Sequence, residues 1–402
     1  MKLLNINAVY GFRSTGEIVR DIHHYLLDQG VDSYVGYTRG LKDVNTIKIG
    51  NIFDRKIHSL LSRIFGLQGY FSYMSTRRFI QKIKKINPDV IHLHNMHDNY
   101  FNLSLLFRYI IHNKKTLILT LHDCWLFTGK CTHFTVDNCM KWKENCGNCP
   151  RLKKDNVSWF FDKTNKMLKD KLSAYTSIEN LGVIGVSNWI TENAKVSILR
   201  SAKGIRRIYN WVDSLSYRMI PNDINPLTKT YGKKKIILGI SSFWSNSKGI
   251  KKFIELANEI NEDYLILLIG NIGSLILPSK IVNIKEIKND QDLMSQYYSL
   301  ATVTVSFSLE ESFGKTSIES MMCGTPIIVQ DSTASPELVG LNCGYVVNNQ
   351  SVKQTLLYIK KIVADGKESY SKDCIRFAKD SFNKENILKE HLDFYNEMLM
   401  VK

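Results

Sequence analysis

The chain has 402 residues, 44% of them hydrophobic and 23% charged, with a formal net charge of +16. That length is more than one core holds, so two domains are expected, and no run of about 18 apolar residues is present to cross a bilayer as a helix. The charge is uneven: residues 1–205 carry 30 Lys and Arg against 16 Asp and Glu, the remainder 24 against 22. A nucleic acid, an anionic lipid surface or a phosphorylated lipid would each suit that basic half, and so would an ordinary solvated surface.

Taken in chain order, "MKLLNINAVYGF" is interrupted by two asparagines and lacks a small-residue cleavage site. It reads as a first strand rather than a signal peptide, which points to a cytoplasmic protein. Strand-like runs follow at "DSYVGYT", "DVIHLHN", "TLILTLH" and "LGVIGVS", then at "KKIILGISS", "YLILLIG", "VNIKEI", "ATVTVSFS", "PIIVQD" and "CGYVVN". Amphipathic helical stretches such as Gly16–Leu27, Gly249–Ile260 and Gln291–Leu300 alternate with them. Buried-looking strands alternating with helices predict parallel sheets wound on both faces. The pattern occurs twice, so the fold class is α/β with two Rossmann-like, doubly wound domains, residues 1–208 and 209–384, hinged near Tyr209–Pro226. In such folds ligands sit beyond the carboxyl ends of strands. Gly11–Gly16, His94, His122, Asn210, Gly270 and Glu311 fall there and are expected to line one cleft between the domains.

Residues 310–326, "EESFGKTSIESMMCGTP", place Glu311 and Glu319 eight positions apart. One continuous helix would put both on one face, but Ser312-Phe313-Gly314 reads as a loop. The helix then starts near Lys315 or Thr316 and ends at Cys323–Pro326. Its free backbone N–H groups and positive dipole end suit a phosphate, which Gly314 lets approach closely. Lys248 in "SNSKGI" offers a cation at a second helix start. Two cationic helix mouths suit a diphosphate, Glu319 could accept from the vicinal hydroxyls of a ribose, and Glu311 could do the same for a sugar beyond the phosphates. The bland reading makes Glu311 a dipole cap and Glu319 a surface residue.

The segment "LEESFGKTSIESMMCGTPII" resembles the Glu-x7-Glu motif of glycosyltransferase family 4, retaining enzymes of the GT-B fold. "NPDVIHLHN", "LTLHDCWLFTGKC", "GVSNWIT", "IYNWVD", "KGIKKFIELA" and "CGTPIIVQDSTASPELV" extend the likeness over essentially the whole chain, in the family's order. Within the family it is most similar to enzymes of bacterial capsule, exopolysaccharide and lipopolysaccharide assembly, of the colanic-acid type. The resemblance implies that Glu319 binds the ribose and Glu311 contacts the donor sugar. It gives the diphosphate to the backbone of Phe313, Gly314, Lys315 and Thr316, helped by Lys248 and by the Gly11–Gly16 loop through Gly16. His122 would face the transferred sugar, with Asn210 and Ser242 also on the donor side. Ser242 stands where relatives commonly carry an arginine, six residues before Lys248. Trp211 stands where they usually have a glycine. The resemblance further implies a hydroxyl acceptor on a glycan or polyprenyl diphosphate, and residues 385–402 as a helix returning to the N-terminal domain. Anomeric configuration would be retained without an enzymic nucleophile, the leaving phosphate serving as base, and without a catalytic metal. The Asp-x-Asp of "NDQD" at 289–292 precedes a helix and reads as an N-cap.

Five of eight cysteines fall between 124 and 149. In a cytosolic protein such density favours a metal. Cys131, Cys139, Cys146 and Cys149 could hold a structural Zn²⁺, with His133 in reserve; two disulfides or free thiols remain the alternatives. Cys323, Cys343 and Cys374 read as small packed residues, and His92 and His94 as core. Residues 53–87 mix Arg and Lys with Leu, Ile, Phe and Tyr, either a helix pair lying on anionic lipid or a core-facing stripe with a basic outer face. A nucleic-acid-binding module is the rival from another class, but no recognition motif accompanies the basic charge. Among enzymes the rival is a sugar-nucleotide epimerase or a phosphorylase on the same plan.

Overall fold

The computed structural model describes residues 1–287 and 290–400. The chain divides into two compact units, Met1–Tyr209 with Leu388–Lys402, and Asn210–Ile387. In chain order the first contains β1 (Lys2–Ile6), β2 (Val9–Tyr10), α1 (Arg13–Asp28), β3 (Asp32–Tyr37), β4 (Arg39–Gly40), β5 (Thr46–Lys48), α2 (Ile52–Phe65), α3 (Tyr73–Ile86), β6 (Val90–Leu93), α4 (Leu103–His112), β7 (Thr116–Leu121), α5 (Thr164–Thr176), β8 (Leu181–Gly185), α6 (Asn188–Lys195) and β9 (Gly204–Arg207). The second contains α7 (Thr228–Tyr231), β10 (Lys235–Phe243), α8 (Ile250–Glu259), β11 (Tyr264–Asn271), β12 (Ile281–Ile284), α9 (Gln291–Leu300), β13 (Val303–Val305), α10 (Lys315–Met322), β14 (Ile327–Gln330), β15 (Gly344–Val347), α11 (Val352–Asp365) and α12 (Glu368–Ser381). The last helix, α13 (Lys384–Met400), begins in the second unit and runs into the first.

Each unit is built on one parallel sheet, ordered β5-β3-β1-β6-β7-β8-β9 in the first and β12-β11-β10-β13-β14-β15 in the second. The strands are apolar on both faces because helices cover both, as parallel crossovers require. In the first unit the chain winds outward from β1 to β5, then returns to lay β6 against β1. In the second it winds outward from β10 to β12, then returns to lay β13 against β10. Those reversals are the topological switch points, where the loops leaving adjacent strand ends diverge and open a crevice.

The helix starts show which polar groups the fold satisfies internally. Asn51, Asn102, Ser187, Asp290 and Ser351 cap α2, α4, α6, α9 and α11 with side-chain oxygens. Asp290 is thus the N-cap read from "NDQD", accepting from Leu293 N at 2.9 Å; Asn289 lies outside the described residues. Gly249 and Gly314 stand at the N-cap positions of α8 and α10, neither helix having a side-chain cap or an acidic residue in the first turn. Gly249 is obligatory, since a Cβ there would lie 2.2 Å from the Cβ of Phe307.

Two differences from the sequence reading have local causes. Helix α1 starts at Arg13, so Gly16 lies inside its first turn, packed against Val9 and Tyr10, and the glycine loop shrinks to Gly11 and Phe12. The short strands β5 and β9 are half-exposed and carry none of the apolar continuity that marks the others. The residues 53–87 do form a helix pair, α2 and α3, separated by a turn through Gly66 and Gly69.

Candidate functional site

In the second unit the switch point lies between β10 and β13, and the loops that leave these strands carry Lys248 and Glu310–Gly314. Lys248 Nζ reaches Glu311 Oε1 at 2.5 Å and also approaches Ser308 Oγ and the carbonyl of Glu310. Glu311 is fixed from behind: its backbone N–H donates to Thr333 Oγ1 at 3.0 Å, and its carbonyl accepts from Ala334 N. Thr333 adopts φ +52° to make this bond. The ion pair is only part-buried, so its own contribution to stability is below about 1 kcal/mol. It is a charged pair held in place at a crevice, not a staple of the core.

Directly after Glu311 the chain buries Phe313 against Phe382, ring centroids 5.6 Å apart, and turns through Gly314 at φ +100° into α10. Lys315 and Thr316 then present the first helical N–H groups beside the Lys248–Glu311 pair in sequence. One turn in, Glu319 is 9% exposed and accepts from the Tyr298 hydroxyl at 2.7 Å. A carboxylate this buried is kept only with partners. The tyrosine occupies one oxygen, and the surface reading of Glu319 is excluded. Helix α10 is anchored beneath by Ser320, which bonds Thr304 on β13, and by Thr325, which bonds the carbonyl of Tyr298.

In the first unit His122 follows β7 directly and stands partly exposed. Its Nε2 lies 3.0 Å from Nδ1 of His94, whose Nε2 lies 3.2 Å from Asn5 Oδ1 on β1. With that oxygen accepting, the bond pattern assigns the proton of His94 to Nε2 and that of His122 to Nε2, leaving His122 Nδ1 with a lone pair. Burial pushes His122 down to about 4, so the ring is neutral at physiological pH. Next to it, His97 Nε2 pairs with Asp123 at 2.7 Å. Burial opposes the charge on His97, but the Asp123 carboxylate outweighs it and raises the ring above its ordinary value. His92 and His94 are fully buried and bonded, His92 to Thr120 and Tyr395, as core residues should be.

The structure therefore brings Lys248, Glu311 and the start of α10 together, with Glu319 one turn inside, and gathers His122 with His94. Ser242 stands exposed near the end of β10, and Asn210 is buried at the first residue of its unit. Sequence reasoning missed Tyr298, Thr333 and Asn5. Tyr298 sits in "QYYSL", where it reads as one more apolar residue of a helix stripe. Thr333 and Asn5 act through a single atom and leave no spacing signal.

Residues 223–381, which lie within the second unit, match the family described as glycosyl transferases group 1. Over 99% of its length the chain is 23% identical to the putative colanic acid biosynthesis glycosyl transferase WcaC of Escherichia coli K12, all of which is covered. Among solved structures it is similar to a sucrose-phosphate synthase from Thermosynechococcus elongatus, with a TM-score of 0.71 and 16% identity over 100% of both chains. It is also similar to Anabaena HepE in complex with UDP-glucose, with a TM-score of 0.68 and 15% identity over 99% of this chain and 100% of that one. Among the described residues no helix is long and apolar enough to cross a membrane. The sheet orders, the switch-point residues and these likenesses converge: the chain has the GT-B fold and carries, over residues 223–381, a glycosyl transferases group 1 domain.

Proposed function

We propose that the protein transfers a sugar, with retention, from a nucleoside-diphosphate sugar to a hydroxyl of a growing bacterial surface glycan or of its lipid-linked precursor. The observation that carries the donor class is the placement of Lys248, Glu311 and the uncapped start of α10 at one switch point, with the buried carboxylate of Glu319 one turn inside. UDP and UDP-glucose are bound by the structurally similar HepE, and WcaC is described as a colanic acid enzyme, which supports the same reading here.

In this reading the N–H groups of Phe313, Gly314, Lys315 and Thr316 and the ammonium of Lys248 hold the diphosphate, and Glu319 accepts from the ribose hydroxyls. Glu311 accepts from the donor sugar, and His122 offers its Nδ1 lone pair to a hydroxyl of the transferred sugar. The bond from the anomeric carbon to the phosphate oxygen breaks with its electron pair going to the diphosphate. The acceptor oxygen bonds to the same face of that carbon and passes its proton to the departing phosphate. Positive charge on the ring and negative charge on the phosphates grow together, and the second is met by preset dipoles and a cation. Thermal-shift screening against UDP-, GDP-, ADP- and CMP-sugars is expected to single out one nucleotide, and product analysis with that donor to show a glycosidic bond. Conversion of the sugar nucleotide to its epimer with no transfer would replace this reading.

An anionic membrane surface is the second partner. Helix α2 exposes Phe53, Ile57, Leu60 and Phe65, and Trp159, Phe160 and Phe161 are exposed beside its end, where Trp159 N donates to the carbonyl of Arg63. The Arg63 guanidinium lies over the Trp159 ring and the Lys163 ammonium over that of Phe161. Apolar side chains interleaved with cations on one face suit the headgroup region of acidic lipids. Flotation with vesicles containing anionic lipid should carry the protein upward, and Phe53→Ser/Phe160→Ser should abolish it. Equal recovery with neutral vesicles would remove the electrostatic half of the idea.

A further inference from the structure

Between β7 and α5 the chain runs from His122 to Lys163 with a single short 3₁₀ turn, Lys141–Lys143, as its regular structure. A small aromatic core holds one side of it, Trp142 packing on Phe127 and Phe134 at 5.1 and 4.9 Å. On the other side Cys131, Cys139, Cys146 and Cys149 line one cavity of about 20 Å³, room for a single ion or water. All four are free thiols. The step Cys146-Gly147-Asn148-Cys149 turns sharply, Gly147 at φ +147° and Asn148 at φ +45°, which brings the last two cysteines to the same cavity. Burial raises both thiols, Cys146 to about 11, and backbone N–H groups aimed at the sulfurs, that of Gly129 at Cys146 and that of Arg151 at Cys149, work the other way. Such donors favour a thiolate over a thiol and orient a metal ligand.

The charges nearby ask for the same occupant. Lys171 and Lys130 are 4% and 3% exposed. Lys171 Nζ donates to the carbonyls of Trp125 and Thr128 at 2.5 and 3.0 Å and lies 3.5 Å from the Trp125 ring centroid. Among the described residues no carboxylate lies within ion-pair distance of it. Burial pushes Lys171 down to about 7, and Cys146 and Cys131, then Asp123, which is already paired with His97, pull it back up. Lys130 lines the same cavity and donates to the carbonyl of Leu152 at 2.8 Å; burial lowers it, and Cys149 ahead of Asp155 and Asp162 pulls it back up. A buried ammonium beside neutral thiols is poorly compensated. Four thiolates around one divalent ion carry a net charge of −2, which two lysines balance.

We propose that Cys131, Cys139, Cys146 and Cys149 form a structural tetrathiolate Zn²⁺ site that staples the segment between β7 and α5, with Lys130 and Lys171 balancing its charge. Zinc is the choice because a borderline-soft d¹⁰ ion takes four thiolates tetrahedrally, at about 2.3 Å, with no open position. Among the described residues no three His, Cys, Asp or Glu side chains already stand at metal-holding distances, so binding includes rotation of the thiols into the cavity. The site rests on its own observations and stands or falls apart from the transfer reaction.

Full-length protein purified with reductant and without chelator should contain one zinc per chain, released only when a thiol-blocking reagent has modified four cysteines. Replacement by Co²⁺ should give the intense ligand-field and sulfur-to-metal charge-transfer bands of a tetrahedral tetrathiolate. This readout needs no variant and survives if Cys146→Ser/Cys149→Ser fails to fold. Where that variant folds, it should lose the zinc while Cys323→Ser keeps it. Metal-free protein whose added Co²⁺ shows only a weak octahedral spectrum, or whose cysteines count as two disulfides, would overturn the proposal.

Discussion

Glu319→Ala is expected to weaken binding of the nucleoside diphosphate selected by screening by roughly 30- to 1000-fold. The carboxylate is buried, one of its oxygens is held by Tyr298, and the proposal gives it both ribose hydroxyls. Hydrogen bonds to a charged acceptor are worth about 1.5–3 kcal/mol each and add incompletely when they share one carboxylate, so about 2–4 kcal/mol for the pair converts to that range of affinity. The same substitution strands the Tyr298 hydroxyl, 0% exposed in the core, at a cost of about 1–3 kcal/mol of stability. Affinity and stability must therefore be read separately. Tyr298→Phe is the control: it removes the internal partner, leaves the carboxylate, and should change affinity only a few-fold. Titration calorimetry on the folded variants gives the answer, and a Glu319→Ala protein that binds nucleotide like the wild type ends the ribose assignment.

Lys248→Ala is expected to lower kcat by roughly 10²–10³-fold, the usual consequence of removing one preset charge donor from a transition state that gathers negative charge. Glu311→Gln should also lower kcat while changing KM less, since its partner hydroxyl matters most as the sugar flattens. Neither should much alter melting, because a part-exposed ion pair contributes little to folding. The two residues touch, so their effects should not add: Lys248→Ala already frees Glu311 from its anchor, and the double variant should fall short of the product of the singles. Steady-state kinetics on the three proteins tests this. Wild-type turnover in both single variants would remove the pair from the chemistry.

Much of the fold was legible because parallel strands buried on both faces leave long apolar runs. Ten of those runs became strands of the two main sheets after β1, and the helix read at Gln291–Leu300 has those bounds. The start of α10 at Lys315 was legible too, because Gly314 interrupts the helical pattern and the apolar period resumes after it. What escaped is local and short. Half-exposed strands such as β5 lack an apolar period, and helix α1 begins earlier than its hydrophobic face because Arg13 enters it at φ +57°. In the site, the charged groups announce themselves by type, whereas the groups that hold them do not. Thr333 and Tyr298 look like any hydroxyl residue until the chain is folded and one atom of each is found aimed at a glutamate.

The relay from Asn5 through His94 to His122 settles in advance which nitrogen the last ring shows to its surroundings. An amide in the middle of the first strand thus acts as a reference electrode for a side chain two strands over. In the proposed role His122 enters as a fixed dipole, not as a proton carrier, since it takes up a proton only near pH 4. As far as this ring is concerned, the rate of transfer would run level from weak acid through neutrality.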